Sequence, residues 1–146
     1  MYPIHPLTVH LPIGLLLGNA LLTGLYLRRR SPALEISAFS CLWLGWLALL
    51  PAVAAGTFDA VRQLFGTPTP RNDALGWINA HALVGILLVI VYWRAWQARR
   101  RQPTILDDRL ARRGYLTTLM IGLALLVLDG WLGGHLVYSL RLGVNA

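Results

Sequence analysis

The chain contains no lysine, one cysteine and only six acidic residues in 146. Cys41 alone cannot form an intrachain disulfide, and an isolated Cys in an apolar run is ordinarily an inert small hydrophobe. No Cys-x-x-Cys-His occurs, which excludes covalent c-type haem attachment. Charged residues make up 13% of the chain, where a soluble domain carries about 25%. The opening MYPIHPLTVHLPIG lacks a basic stretch and a small-residue cleavage site. It therefore reads as mature membrane sequence and not as a cleaved signal. What fills the chain instead is apolar: 56% of residues are hydrophobic, with a mean hydropathy of +0.57. A small soluble domain cannot bury that much apolar surface.

Four apolar stretches are long enough to cross a bilayer, which takes about 20 residues. They run over 6–27, 33–58, 77–96 and 114–137, and the second contains Pro51, which predicts a kink. The expected fold is an all-α integral membrane four-helix bundle. It forms one domain over 1–146 with an up-down-up-down course. The second connection carries turn signals at Gly66, Pro68, Pro70, Asn72 and Asp73.

The net charge of +7 comes entirely from arginine on the basic side. Arg28, Arg29, Arg30, Arg99, Arg100, Arg101, Arg109, Arg112 and Arg113 of the first and third connections, with Arg94 at the end of the third span, make ten of 13. Only Arg62, Arg71 and Arg141 fall on the other side. The positive-inside rule then puts both termini outside and the two Arg-rich connections in the cytoplasm. Basic residues that flank span ends point to anionic lipid and exclude a nucleic-acid surface. Tyr26, Tyr92, Trp93, Trp96 and Tyr115 are expected at the inner interface, and Tyr2, Trp77, Trp131 and Tyr138 near the outer one.

The four histidines, His5, His10, His81 and His135, all map to the outer part of the bundle. His10 and His81 come out at similar depth, about 6 Å below the boundary. In a bundle, spans one and three are diagonal, so two such imidazoles can reach one haem iron from opposite faces. His5 and His10 diverge by about 140° on an ideal helix. Asp59 ends span two and Asp129 lies inside span four, where a carboxylate needs a partner or a proton. Asp129 is a candidate to hydrogen-bond a ligating imidazole, or to meet Asn19, Asn79 or Thr57 in a helix contact. Gly14 and Gly18, and Gly130, Gly133 and Gly134, suit close helix packing and leave room for a flat macrocycle.

HPLTVHLPIG, with Gly56, Asp59, His81 in NAHALVG and the closing GGHLVYSLRLGVNA, resembles the DUF2231 family of predicted bacterial membrane proteins. The likeness covers nearly the whole chain. It implies a four-helix membrane domain, found alone or fused to modules that include c-type cytochromes. It matches His5, His10 and His81 to motif positions; the position of His135 is variable.

The leading expectation is a b-type haem-binding electron-transfer subunit of the bacterial inner membrane. His10 and His81 would be the axial ligands near the periplasmic face, with His5 and His135 close by and Asp59 and Asp129 behind them. A quinone or periplasmic cytochrome would be the redox partner. The alternative is a non-catalytic accessory subunit of a larger respiratory or photosynthetic complex. A third option is a metal site built from His5, His81 and His135 with Asp59. A transporter fits least, because no paired broken helices occur.

Overall fold

The computed structural model describes residues 4–66 and 72–142. Tyr2, Pro68, Pro70, Arg71 and the closing GVNA lie outside them. Four long helices account for the described chain: α1 (His5–Arg29), α2 (Pro32–Phe65), α3 (Leu75–Arg101) and α4 (Arg109–Gly134). A single 3-10 turn, Asn72–Ala74, precedes α3, and a π-helical turn, His135–Ser139, extends α4. Each of the four is long and apolar enough to cross a membrane. Together they form a four-helix bundle with no strand among the described residues.

The helices outrun the apolar windows because polar residues at their ends remain helix-compatible. α2 continues past Phe58 through Asp59 and Arg62 to Phe65, and it runs through Pro51 unbroken. Proline opens α1 and α2 in the first turn, where its missing N–H leaves no bond unmade. Between them Arg30 adopts the left-handed conformation (φ 54°) and its N–H closes onto the Tyr26 carbonyl. Asp108 caps α4 by accepting from Leu110 N–H at 2.8 Å and Ala111 N–H at 3.2 Å. Those backbone donors, Ala111 first, hold its carboxyl below the ordinary carboxylate range. The cap is therefore present above that ordinary range and is lost as pH falls through the lowered value.

Each helix buries a narrow stripe with spacings of three and four residues. On α1 it is Pro12, Leu16, Asn19, Thr23 and Tyr26. On α4 it is Tyr115, Leu119, Gly122 and Leu126. This is the seam of helices packed at a shallow angle. Outside the stripe, large side chains such as Leu7, Leu21, Leu110 and Val127 stay exposed, as a lipid-facing surface allows. α1 packs chiefly on α2 and α3 on α4, with α2 against α3 and α1 against α4 closing the ring. Tight spots fix the approach: a Cβ on Gly122 would lie 2.8 Å from the Tyr92 ring.

Two expectations change. Tyr92 and Tyr115 are not interfacial anchors; at 1% and 4% exposed they belong to the main core with Leu88, Leu119 and Leu126. The Tyr92 ring fills the seam against Gly122, which a belt position would not require. Arg99 is not part of the solvated arginine surface either. It is 7% exposed, forms an ion pair with Glu35 of α2, and donates to the Pro103 carbonyl. It lies on the buried stripe Leu88, Tyr92, Ala95, Arg99, so its direction around the helix outweighs its charge. The neighbouring loop is drawn in with it: Ile105 and Leu106 are buried, and Asp107 faces both Tyr26 Oη and Arg30.

Removing one partner of a buried ion pair leaves an uncompensated charge, a loss of about 3–5 kcal/mol. Glu35→Ala is therefore expected to destabilise the protein by that amount, whereas Glu35→Leu combined with Arg99→Met stays near the wild type. Thermal or denaturant unfolding in detergent, followed by circular dichroism, checks the contrast.

Candidate functional site

At the end of the bundle opposite the Glu35–Arg99 pair, all four helices contribute to one polar cluster. α1 begins there with His5, α2 supplies Ala52, Gly56 and Asp59, α3 supplies His81, and α4 supplies Asp129 and Gly133. The cluster follows from the stripes. Seven residues before Pro12 the buried face of α1 returns to His5. His81 lies between the buried Ile78 and Val84, and Asp129 lies three residues past the buried Leu126.

The two rings meet directly. His5 Nε2 and His81 Nε2 are 3.4 Å apart, and the ring centroids are 5.6 Å apart with planes at 74°. The other ring nitrogens are committed. His5 Nδ1 lies 2.8 Å from the Ala52 carbonyl oxygen, which only accepts, so Nδ1 carries the proton. His81 Nδ1 lies 2.8 Å from Asp129 Oδ1, close though not in line for an ideal hydrogen bond. A bare nitrogen and a carboxylate oxygen would repel at that separation, so this Nδ1 is protonated as well. With both rings neutral the two facing Nε2 atoms are acceptors; a proton on His81 Nε2 closes the same contact as an N–H···N hydrogen bond. His81 and Asp129 side chains are each 20% exposed, so the cluster is sheltered but reachable.

Glycines make the fit possible. A Cβ on Gly56 would lie 2.9 Å from His5 Nδ1, and one on Gly133 would lie 3.3 Å from His81 Cε1. Asp59 anchors the start of α1 from 54 residues away in sequence: its Oδ2 accepts from His5 N–H at 2.9 Å and from Ile4 N–H at 2.8 Å. α1 has no local side-chain cap, so Asp59 supplies the acceptor that Ile4 cannot. Its Oδ1 lies 3.8 Å from Arg62 Nη1.

Of the sequence candidates, His5, His81, Asp59 and Asp129 are therefore brought together. His10 is exposed on α1 and is not part of the cluster. His135 packs beside two indoles that also touch each other, 4.3 Å from the Trp77 ring and 5.8 Å from the Trp131 ring, in the π-helical turn. No group of three or more His, Cys, Asp or Glu side chains suited to one metal ion occurs among the described residues. The partners that sequence reasoning missed are the Ala52 carbonyl, which carries no side-chain signal, and the fit of the imidazoles against Gly56, quoted only in the family likeness, and Gly133, read as packing or as room for a macrocycle. A haem between these rings does not fit as they stand. Two imidazoles on opposite sides of one iron need their nitrogens about 4 Å apart, twice a bond of about 2.0 Å. At 3.4 Å the rings also leave no gap for a macrocycle.

A helical membrane bundle with a His–His–carboxylate cluster at one end is the class these features define. The chain belongs to the family described as "Predicted membrane protein (DUF2231)", whose model matches residues 1–146. No curated protein and no solved structure matches it.

Loss of a helix cap typically costs about 1 kcal/mol. Asp59→Ala is expected to lower stability by about that amount and to speed hydrogen exchange at the first amides of α1. Asp59→Asn keeps an acceptor and retains most of the protection. Exchange read by mass spectrometry on the detergent-solubilised chain measures both.

Proposed function

We propose that this protein is a metal-binding membrane module in which His5 and His81 share one transition-metal ion through their Nε2 atoms. The observation that carries the reading is the 3.4 Å separation of two acceptors whose Nδ1 atoms are already spoken for. Two facing lone pairs repel, and either a proton or a metal ion between the rings relieves that repulsion. Two nitrogens bound at about 2.0–2.1 Å to a tetrahedral ion lie about 3.3–3.4 Å apart. The outer contacts also suit a ligand pair: metal-binding imidazoles usually donate their second N–H to a carbonyl or a carboxylate, which fixes tautomer and ring direction. Neutral imidazoles favour zinc, copper, nickel or iron over calcium or magnesium. Two protein donors leave the other coordination positions to water or an exchangeable ligand.

The arginine distribution supports an alternating course of the helices with the histidine end and both termini outside the cytoplasm. In a bacterial inner membrane the ion would then exchange with the periplasmic side. Haem b on His10 and His81 is the rival. It requires His81 to turn away from both His5 and Asp129. An electron-transfer role, with a quinone or cytochrome as partner, rests on that rival or on a redox-active ion at the His5–His81 site. An accessory role in a larger respiratory or photosynthetic complex is compatible with either.

The full chain, purified in detergent, stripped with chelator and titrated with Zn²⁺ and Cu²⁺, is expected to bind one ion. His5→Ala and His81→Ala abolish binding. Asp129→Asn weakens it by about 10–100-fold. His10→Ala and His135→Ala leave it unchanged. Failure of the wild type to bind either ion overturns the proposal and leaves a shared proton as the cation between the rings. A Soret band in the purified protein that disappears in His10→Ala establishes the haem reading instead.

A further inference from the structure

The two imidazoles are mounted differently. His81 lies inside α3 with helix on both sides, between the buried Ile78 and Val84. His5 is the first residue of α1, and no described residue of α1 before Pro12 is buried. What holds this ring is one face of α2. Ala52, Gly56 and Asp59 follow at spacings of four and three, so they share that face. The Ala52 carbonyl meets His5 Nδ1 at 2.8 Å, and Gly56 leaves room for the ring. Asp59 Oδ2 accepts from the Ile4 and His5 N–H groups at 2.8 and 2.9 Å. Within α1, Thr8 Oγ1 donates to the His5 carbonyl at 2.9 Å. The other Asp59 oxygen faces Arg62, one turn further along α2. His5 Nε2 therefore points at His81 only while the first turn of α1 is docked on α2.

We infer that Asp59 is the positioning residue of the ion site and that the first turn of α1 is its moving jaw. The inference rests on the shared-ion reading above. A terminal turn opens at small cost in free energy, whereas moving His81 would break α3 from within. An ion bound between the rings leaves when the α1 turn lifts off α2, with His81 and Asp129 staying in place. Asp59 opposes that step without touching the ion, through two backbone N–H groups beside the ligand. Linkage makes the effect reciprocal: docking of the turn favours the ion, and the ion favours docking of the turn by the same factor. The ion site is thus also a clasp that fixes the start of α1.

The test uses the full chain in detergent, loaded with Zn²⁺ and chased with excess chelator. Asp59→Ala is expected to release zinc about fivefold faster than the wild type and to bind it about fivefold more weakly, the factor that corresponds to a lost helix cap. Asp59→Asn keeps an acceptor and restores most of the difference. Zinc slows hydrogen exchange at the Ile4 and His5 amides of the wild type. It has no such effect in His5→Ala, where Asp59 is intact but the ligand is gone. Asp108→Ala removes a cap of the same kind from α4 at the other end of the bundle and leaves zinc release unchanged. An equal acceleration in Asp108→Ala would mean general destabilisation and overturn the role of Asp59, as would unchanged release in Asp59→Ala. Zinc that binds through His5 and His81 yet leaves the α1 amides unaltered would overturn the moving jaw while the ion site stands. Zinc that does not bind the wild type overturns both.

Discussion

Inside a bilayer a polar side chain has no water to bond, so each one must find its partner within the protein. That constraint organises this bundle. Apolar burial separates folded from unfolded helices only weakly when lipid is as apolar as the core. The contacts that choose one arrangement over another are therefore the polar ones that cross between helices. Two lie along the helices, Asn19 to the Ala38 carbonyl and Trp46 to the Val89 carbonyl, and the charged ones gather at the two ends. Glu35 and Arg99 tie α2 to α3 at one end, and the His5, Asp59, His81 and Asp129 cluster ties all four helices at the other.

The two ends differ in what they leave unfinished. At the Arg99 end the charges close on each other, and the loop after α3 folds in with Ile105 and Leu106 buried. Asn19, 1% exposed, donates to the Ala38 carbonyl in the same half of α1. That end reads as a lock. At the histidine end His5 Nδ1 meets the Ala52 carbonyl, His81 Nδ1 lies close to Asp129 Oδ1 without an aligned hydrogen bond, and the two Nε2 atoms meet at the centre. A carbonyl, a carboxylate and two glycines converge there on the two facing rings, and the proposed shared cation rests on that geometry.

Much of the fold was legible in composition. Apolar length gave the four helices, and the arginine run lengths located their ends on one side. Direction around each helix was harder to read, because both lipid-facing and buried faces are apolar and the usual polar stripe is missing. Depth alone paired His10 with His81. The spacing of three and four that buries Pro12, Leu16 and Asn19 extends back to His5 and passes over His10. The same spacing carries Arg99 into the seam although its charge suggested the surface. The Asp129 contact with an imidazole was anticipated as one of two options, since an intramembrane carboxylate needs a partner. The α1 cap from Asp59 was not, because it joins residues 54 apart and leaves no local pattern.

The central claim is that His5 and His81 present bare Nε2 atoms to one shared cation. Nitrogen-15 NMR of the histidine-labelled protein in detergent addresses it directly. In the chelator-treated sample at alkaline pH, both residues are expected as Nδ1–H tautomers with unprotonated Nε2. Added Zn²⁺ then shifts those two Nε2 resonances together and leaves His10 and His135 in place. A proton found on Nε2 of either ring, or a zinc-dependent shift confined to His10 or His135, would contradict the account.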